Sequence, residues 1–359
     1  MNPSVSLMDL TATKVLTDKH IKRYCEERKT NARQISPRYV ALWDSIETLL
    51  LAGGKRLRPH LLITSYLAYA STGKLADILP AAVAQELLHS AMLIHDDIID
   101  RDTFRYGVSN IPGQYNALYA PFISDDAERY HMSLSAGILA GDILLSDAHR
   151  MLRSVNLPNE LVDLATEILS RSVFEVVGGE LLDTEVSFLP SGLINAEIIA
   201  KFKTASYSFT GPLTMGATLA GASEGELYLL TQLSEKLGIG YQLRDDILGV
   251  FGDESKTGKS ASNDIIEGKR TFLIEQFEAI ATAEQSKRFF EIFHHTDPTR
   301  NELEEARQLL ITTGAKDHVE QRIITLHEAA NDHINQLGIN EFAKQELLLV
   351  ATLCLQRES

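Results

Sequence analysis

Between Ile78 and Ile94 the chain is apolar on nearly every side of a helical wheel, and the run ends in Asp96, Asp97 and Asp100. A helix that is apolar all round must be enclosed by other elements, so this stretch demands a large bundle around it. At helical pitch Asp96 and Asp100 stand at i and i+4, and Asp97 and Asp100 at i and i+3, so all three carboxylates can reach one side of the helix. Like charges stacked beside an apolar interior, close to the negative end of a helix, are unfavourable unless a cation sits among them. Oxygen donors of this kind suit a hard divalent ion, and Mg2+ keeps waters and phosphate oxygens as its other ligands. A solvated acidic helix end is the competing explanation, and this motif alone does not decide between the two.

The rest of the sequence can supply the bundle. Its 359 residues are 44% hydrophobic, enough for a large core. No segment alternates like a strand, so the expected fold is all-α, with a central bundle holding the longest apolar helices. Residues 1–16 carry no strong pattern and read as a loose N-terminal arm; residues 17–359 read as a single all-α domain. The formal net charge of −15 argues against nucleic acid as a partner. It also means that an anionic substrate must be held by local cations or by metal. Cys25 and Cys354 support no disulfide framework and fit a reducing compartment. No signal-peptide pattern opens the sequence, and no uncharged run is long enough to span a membrane. The expectation is a cytoplasmic protein.

In chain order, a polar helix runs from Thr17 toward Asn31. Ser36 and Pro37 are the N-cap and first residue of the next helix, which stops at Gly53-Gly54. Gly53-Gly-Lys-Arg-Leu-Arg-Pro59 follows, with three cations in four positions just before an apolar helix starting near Pro59. Glycines that free the backbone and cations beside a helix N-terminus make an anion site; a basic solvated loop is the alternative. The organising helix begins near Asp77. Residues 107–130 read as an irregular or partly helical excursion, and the apolar pattern returns from Met132. Pro158 opens a helix running to about Phe188. A helix carrying Lys201-Phe-Lys-Thr-Ala-Ser-Tyr207 breaks at Gly211-Pro212, and another runs from Glu224 to Gly249. Residues 252–259 form a polar loop, Asp264 to Ile280 one helix, and the last ninety or so residues short amphipathic helices broken near Pro298, Gly314 and Gly338.

Asp245-Asp246 closes an apolar helix as Asp96-Asp97 does. If two such ends face one cavity, their carboxylates would hold several Mg2+ ions, with Lys55, Arg58, Arg105, Lys203, Lys259 and Lys269 around them. Acidic pairs alternating with Lys/Arg clusters suit diphosphate chemistry, in which metal bridges carboxylates to a leaving group and cations bind its remaining oxygens.

Gly-Gly-Lys-Arg-Leu-Arg-Pro, His-Asp-Asp-Ile-Ile-Asp, Gly-Asp-Ile-Leu-Leu, Lys-Thr-Ala-Ser-Tyr, Gln-Leu-Arg-Asp-Asp and Gly-Lys-Arg-Thr occur in that order between about residues 40 and 275. In this the sequence resembles the polyprenyl synthetase family, the trans-isoprenyl diphosphate synthases. The resemblance implies an isoprenoid synthase fold, a single large helical bundle around a central cavity with three Mg2+ ions, usually as a homodimer. It implies that Asp96, Asp97, Asp100 and Asp245 bind Mg2+ on the allylic diphosphate, with Asp246 beside them. By the same resemblance Lys55, Arg58 and His89 form the isopentenyl diphosphate site, and Arg105, Lys203 and Lys259 bind the allylic diphosphate. Gln242, Thr204 and Asp183 would lie near the reacting carbons, and Lys269 would touch diphosphate. A lone helical His is ordinarily structural, but His89 precedes Asp96 by two turns and falls in the family's position.

The implied reaction condenses isopentenyl diphosphate with dimethylallyl, geranyl or farnesyl diphosphate. Leu88, Ala91 and Met92 stand where the growing chain would meet its floor. In the family, large aromatics four or five residues before the first Asp stop growth early. Met92 and Ala91 occupy those places, so geranylgeranyl diphosphate is the expected product and longer chains the alternative. Three departures stand out. Arg105-Tyr106-Gly107 replaces the usual Arg-Arg-Gly. Gly249 stands where the second motif usually ends in Asp, with Asp253 a further candidate for that part. Glu180 stands where Gln is common. A class I terpene cyclase would not need the Gly53–Pro59 and His89 site, and a non-catalytic subunit would not need the intact first motif.

Overall fold

The computed structural model describes residues 9–71, 74–190, 192–252, 263–293, 295 and 297–355. It forms two compact units, one of residues up to Ser170 together with Pro212–Ala222, the other of Arg171–Gly211 and Ser223 onward.

The first unit contains α1 (Leu10–Arg33), α2 (Pro37–Ala52), α3 (Leu57–Tyr69), α4 (Leu75–Ile99), a short hairpin of β1 (Phe104–Arg105) and β2 (Val108–Ser109), α5 (Ile111–Tyr119) and α6 (Asp126–Leu152). Its axis is α4, against which α6 and α3 pack. From Ile78 to Leu88 every residue of α4 except Pro80 is buried, as an all-apolar helix requires. By length and composition α4 is also apolar enough to cross a membrane, but most of that stretch is buried. Ser36 caps α2 by accepting from the Arg38 amide, with Pro37 in the first turn, as expected.

The first helix starts at Leu10 rather than at Thr17, so residues 10–16 of the expected arm are helical. Asp9 caps it, accepting from the Ala12 amide at 2.6 Å. Its buried face is Thr13, Thr17, Ile21, Tyr24 and Cys25. That is helical spacing, but the first two positions are polar, so no hydrophobic period marks the start. Buried polar bonds hold α1 in place. Thr13 Oγ1 lies 3.1 Å from His60 Nδ1 on α3. Tyr24 and Arg28 both donate to Asp147 of α6, each at 2.6 Å.

The second unit is built on α10 (Glu224–Phe251). A π-helix (Ala200–Thr210) packs along it, as do α15 (Ala315–Gln336) and α16 (Glu341–Leu355). The remaining elements among the described residues are α7 (Asn159–Val186), α8 (Ala196–Ile199), α9 (Gly211–Leu219), α11 (Asn263–Glu267), α12 (Phe272–Ile280), α13 (Ala283–Ile292) and α14 (Arg300–Thr312). Capping boxes at Thr282/Gln285 and Thr299/Glu302 start α13 and α14. On α7 an apolar row faces outward: Phe174 is 82% exposed, and Val177 and Leu181 are exposed with it, as is Phe188 just beyond the helix.

Other boundaries differ from expectation. The excursion after residue 107 resolves into the hairpin, α5 and the start of α6, so a small antiparallel ladder exists in an otherwise helical chain. Gly211-Pro212 makes no break: the π-helix runs to Thr210 and α9 starts at Gly211. Asp264 to Ile280 is two helices, separated at Gly268, whose φ of +72° belongs to a C-terminal cap. The C-terminal helices break where expected, but α15 is 22 residues long, not short.

Candidate active site

In the first unit the C-terminus of α4, the hairpin and the loop before α3 carry the expected site residues. Asp97 is only 1% exposed, whereas Asp96 is partly exposed and Asp100 lies at the surface as the helix C-cap. The three carboxylates, which the spacing puts within reach of one side of the helix, therefore differ in exposure. The hairpin delivers Arg105 to them. Tyr106 and Gly107 form its two-residue turn, both with positive φ, as a tight hairpin requires. Arg105 Nε donates to Asp97 Oδ1 at 2.7 Å, and Nη2 donates to Asp97 as well and to Asp96 Oδ2 at 3.0 Å. Asp102 stands 3.8 Å away, a partner that motif reading missed. Asp97 Oδ2 is buried and has no hydrogen-bond partner among the described residues. Burial pushes the Asp97 carboxyl up to about 6, against the opposing pull of Arg105.

The three cations at the start of α3 separate into two kinds. Arg56, in left-handed backbone (φ 56°), points inward. It donates to Asp18 and Glu86 at 2.7 Å each and to the Leu50 carbonyl at 2.5 Å. Its charge is spent on the core. Lys55 is exposed and Arg58 half-buried. His89 is held well below the usual imidazole range by burial, then by the charges of Arg58, Arg105 and Arg56, so its ring is neutral. Tyr106 lies against this loop: a Cβ at Gly53 would come within 2.8 Å of its Cγ.

On α4, Leu88 and Ala91 are fully buried, while His89, Met92, Leu93 and Asp96 keep partial exposure on one side. Of the three expected chain-length positions, only Met92 shares that accessible side with Asp96.

In the second unit, Lys203 of the π-helix donates to Asp183 at 2.5 Å and lies 3.0 Å from Glu180, both on α7. The Glu180 departure thus places a second carboxylate on this lysine. Thr204 Oγ1 donates to Gln242 Oε1 at 2.6 Å, and Gln242 Nε2 donates to Asp246 Oδ1 at 3.0 Å. Asp246 is 5% exposed, and burial pushes its carboxyl up to about 7. Gln242 opposes that rise, while Asp264 and Asp183 add to it. Asp245 is half-buried beside it, and Lys269 pairs with Glu267 at 3.0 Å. The π-helix was not foreseen; such wide turns gather at functional sites, and this one carries Lys203 and Thr204. Lys259 and Asp253 lie outside the described residues.

Among the described residues no three carboxylate, imidazole or thiolate groups form a ready-made metal cage. The donor set still fits Mg2+, which needs only one or two carboxylates when phosphate oxygens and water complete its shell. A buried Asp97 oxygen without a partner among the described residues, and an Asp246 crowded by other acids, are the places where positive charge relieves most.

The sequence profile of the polyprenyl synthetase family matches residues 40–310. A geranylgeranyl diphosphate synthase from Methanosarcina mazei is 30% identical over 318 residues, 88% of this chain and 90% of that protein. A short chain isoprenyl diphosphate synthase from Methanocaldococcus jannaschii is 30% identical over 298 residues, 82% of this chain and 83% of the other. Among solved structures, the geranylgeranyl pyrophosphate synthase of Corynebacterium glutamicum, complexed with isoprenyl diphosphate and magnesium, superimposes with a TM-score of 0.91. It is 30% identical, and the match covers 98% of this chain and all of that one.

Proposed function

The chain belongs to the polyprenyl synthetase family and is a trans-prenyltransferase, and on that premise we propose that it condenses isopentenyl diphosphate with an allylic diphosphate, using Mg2+, to make chiefly geranylgeranyl diphosphate. The observation that carries this reading is the end of α4, where Asp96 and Asp97 are held against Arg105 and one Asp97 oxygen is buried without a partner among the described residues. Asp96, Asp97, Asp100 and Asp245 are the proposed ligands. Mg2+ bound to them would neutralise charge on the departing diphosphate.

The remaining work falls to the chain's own side chains. Arg105 and Lys203, each now occupied by carboxylates, turn to the diphosphate oxygens, with Lys259 and Lys269 in the same part. Lys55, Arg58 and neutral His89, which can donate one N–H, hold isopentenyl diphosphate. Thr204, Gln242 and Asp246 form one hydrogen-bonded row, and Gln242 and Asp183 are proposed to lie near the reacting carbons. The allylic carbon–oxygen bond breaks with its electron pair going to the diphosphate. The isopentenyl double bond attacks that carbon, and loss of a proton to the released diphosphate restores the alkene.

Product length is read from α4, where Ala91 and Met92 leave out the early aromatic floor. A second copy of the chain is proposed to cover the outward apolar row of α7. Cys25 and Cys354 are buried and form no disulfide, which supports a reducing compartment such as the cytoplasm. The relatives favour synthase over cyclase, since those matched are diphosphate synthases. The test is to incubate the purified chain alone with labelled isopentenyl diphosphate, farnesyl diphosphate and Mg2+, then dephosphorylate and chromatograph the products. Geranylgeraniol is expected; no elongation without a second protein would defeat the reading.

A further inference from the structure

The two acidic motifs differ in one place. Asp96, Asp97 and Asp100 stand at i, i+1 and i+4; Asp245 and Asp246 repeat the first two positions, but the third is Gly249. Glycine inside a helix costs about 1 kcal/mol relative to alanine, so its presence there calls for a local reason. The reason lies on α11. A Cβ built at Gly249 would overlap Oδ2 of Asp264 and lie 2.6 Å from its Cγ. The carboxylate of Asp264 therefore occupies the space that a side chain at position 249 would fill. Position 249 is one turn beyond Asp245, so this carboxylate lies on the side of α10 that carries the second acidic pair.

The placement of Asp264 is fixed by its surroundings. Ile265, next to it, is fully buried and anchors α11 in the core. The Asp264 carbonyl accepts the Lys269 amide at 2.9 Å, closing the turn at Gly268. Thus the short helix that presents Lys269 also presents Asp264.

We infer that Asp264 supplies the third carboxylate of the second acidic site, in place of the side chain missing at Gly249, and that Gly249 is glycine because Asp264 must reach over it. The inference rests on the proposed Mg2+-dependent diphosphate chemistry. It adds a positioning residue that the motif pattern does not contain, and it means that the second motif is completed from outside its own helix. A plain structural role for Asp264, as an acid in the first turn of α11, accounts for neither the overlap at position 249 nor the glycine there.

The test moves the carboxylate. Thermal unfolding of the full chain is followed against Mg2+ in the presence of inorganic diphosphate, and bound Mn2+ is counted by electron paramagnetic resonance. Asp264→Ala should raise the Mg2+ concentration for half-maximal stabilisation about tenfold, the usual cost of losing a group that supports a metal ligand. Adding Gly249→Asp to Asp264→Ala should recover most of that loss, because the carboxylate returns to the same space. Gly249→Asp alone should be less stable than the parent, since two side chains then compete for one volume. Should the paired variant not fold, Asp264→Asn and Asp264→Glu decide: the amide should behave as Ala does and the longer acid should keep most of the response. A parent-like Mg2+ titration in Asp264→Ala overturns the inference, as does a folded paired variant no better than Asp264→Ala. If the parent itself shows no Mg2+-dependent shift with diphosphate, the proposed function falls and this inference with it.

Discussion

Asp97 and Asp96 are neighbours in sequence with different fates, and the difference is testable. Asp97 is buried, bound through one oxygen to Arg105, and pushed up to about 6 by burial. Removing it leaves the Arg105 guanidinium short of its main buried partner, which costs up to about 3 kcal/mol. Asp96 is partly exposed and shares Arg105 only through Nη2. Asp96→Ala should therefore lower turnover about a hundredfold or more while the urea midpoint stays near that of the parent. Asp97→Ala should lose both turnover and stability. Near-normal turnover in a folded Asp96→Ala would remove that residue from the site. The same distinction governs the basic loop: Arg56 serves the core through Asp18 and Glu86, whereas Lys55 is exposed and Arg58 half-buried. Spacing cannot make that separation, because it does not say which cation turns inward. Tyr106 was legible as a departure, but its contact was not. Its ring lies on Gly53, across about fifty residues of chain, and only the folded hairpin brings them together.

At the scale of elements, what was legible followed the apolar pattern, and what was missed lacked one. The sequence exposed α4 and α10 as long apolar stretches that end in paired carboxylates. It hid the start of α1, whose buried face begins with Thr13 and Thr17 rather than with apolar residues. It hid the π-helix, since a wider turn uses the same residue types, and the split between α11 and α12, where Gly268 reads equally well as a tolerated helical glycine. The polar docking of α1 has a pH consequence. His60 of α3 is buried against Thr13, and burial lowers its pKa to about 4, with Asp9 opposing weakly. The unfolded chain takes a proton at this ring near the ordinary value of 6.5, while the folded chain resists until about 4. Stability is thus fully present above the unfolded value and is lost as pH falls between the two, by on the order of 3 kcal/mol. Urea midpoints measured down this range should fall in the parent and fall less in His60→Leu; parallel slopes would show that the imidazole is not the cause. On α4, Met92→Phe should shorten the prenyl product with little change in stability, because Met92 shares the accessible side with Asp96. Ala91→Phe should shorten it too, at about 1–3 kcal/mol for overfilling a buried position. If both leave the chromatographed alcohols unchanged, the growing chain does not pass this helix.

For the whole molecule the outward row on α7 is the feature a single chain leaves unexplained. Phe174 and Leu181 are one heptad apart, Phe188 lies a heptad further, and Val177 fills the intermediate turn. Their exposure costs water contact with large apolar groups, each about 2 kcal/mol when fully buried. A seven-residue repeat is also the pattern by which one helix seats against another. The formal net charge of −15 on each chain opposes association, so contact between copies must be apolar where it occurs. In a two-fold dimer the same patch meets itself, and every substitution is then felt twice. Leu181→Glu would place a carboxylate in the seam from both sides, losing about 4 kcal/mol, or roughly a thousandfold in dissociation constant. Light scattering on the eluting protein should give twice the chain mass for the parent and, at low micromolar concentration, a single chain mass for Phe174→Glu/Leu181→Glu. Far-UV circular dichroism should be unchanged, since both positions lie on the solvent side of a helix whose buried face they do not touch. A parent that runs as a single chain, or a folded double variant that stays paired, would show that something other than a second copy covers α7.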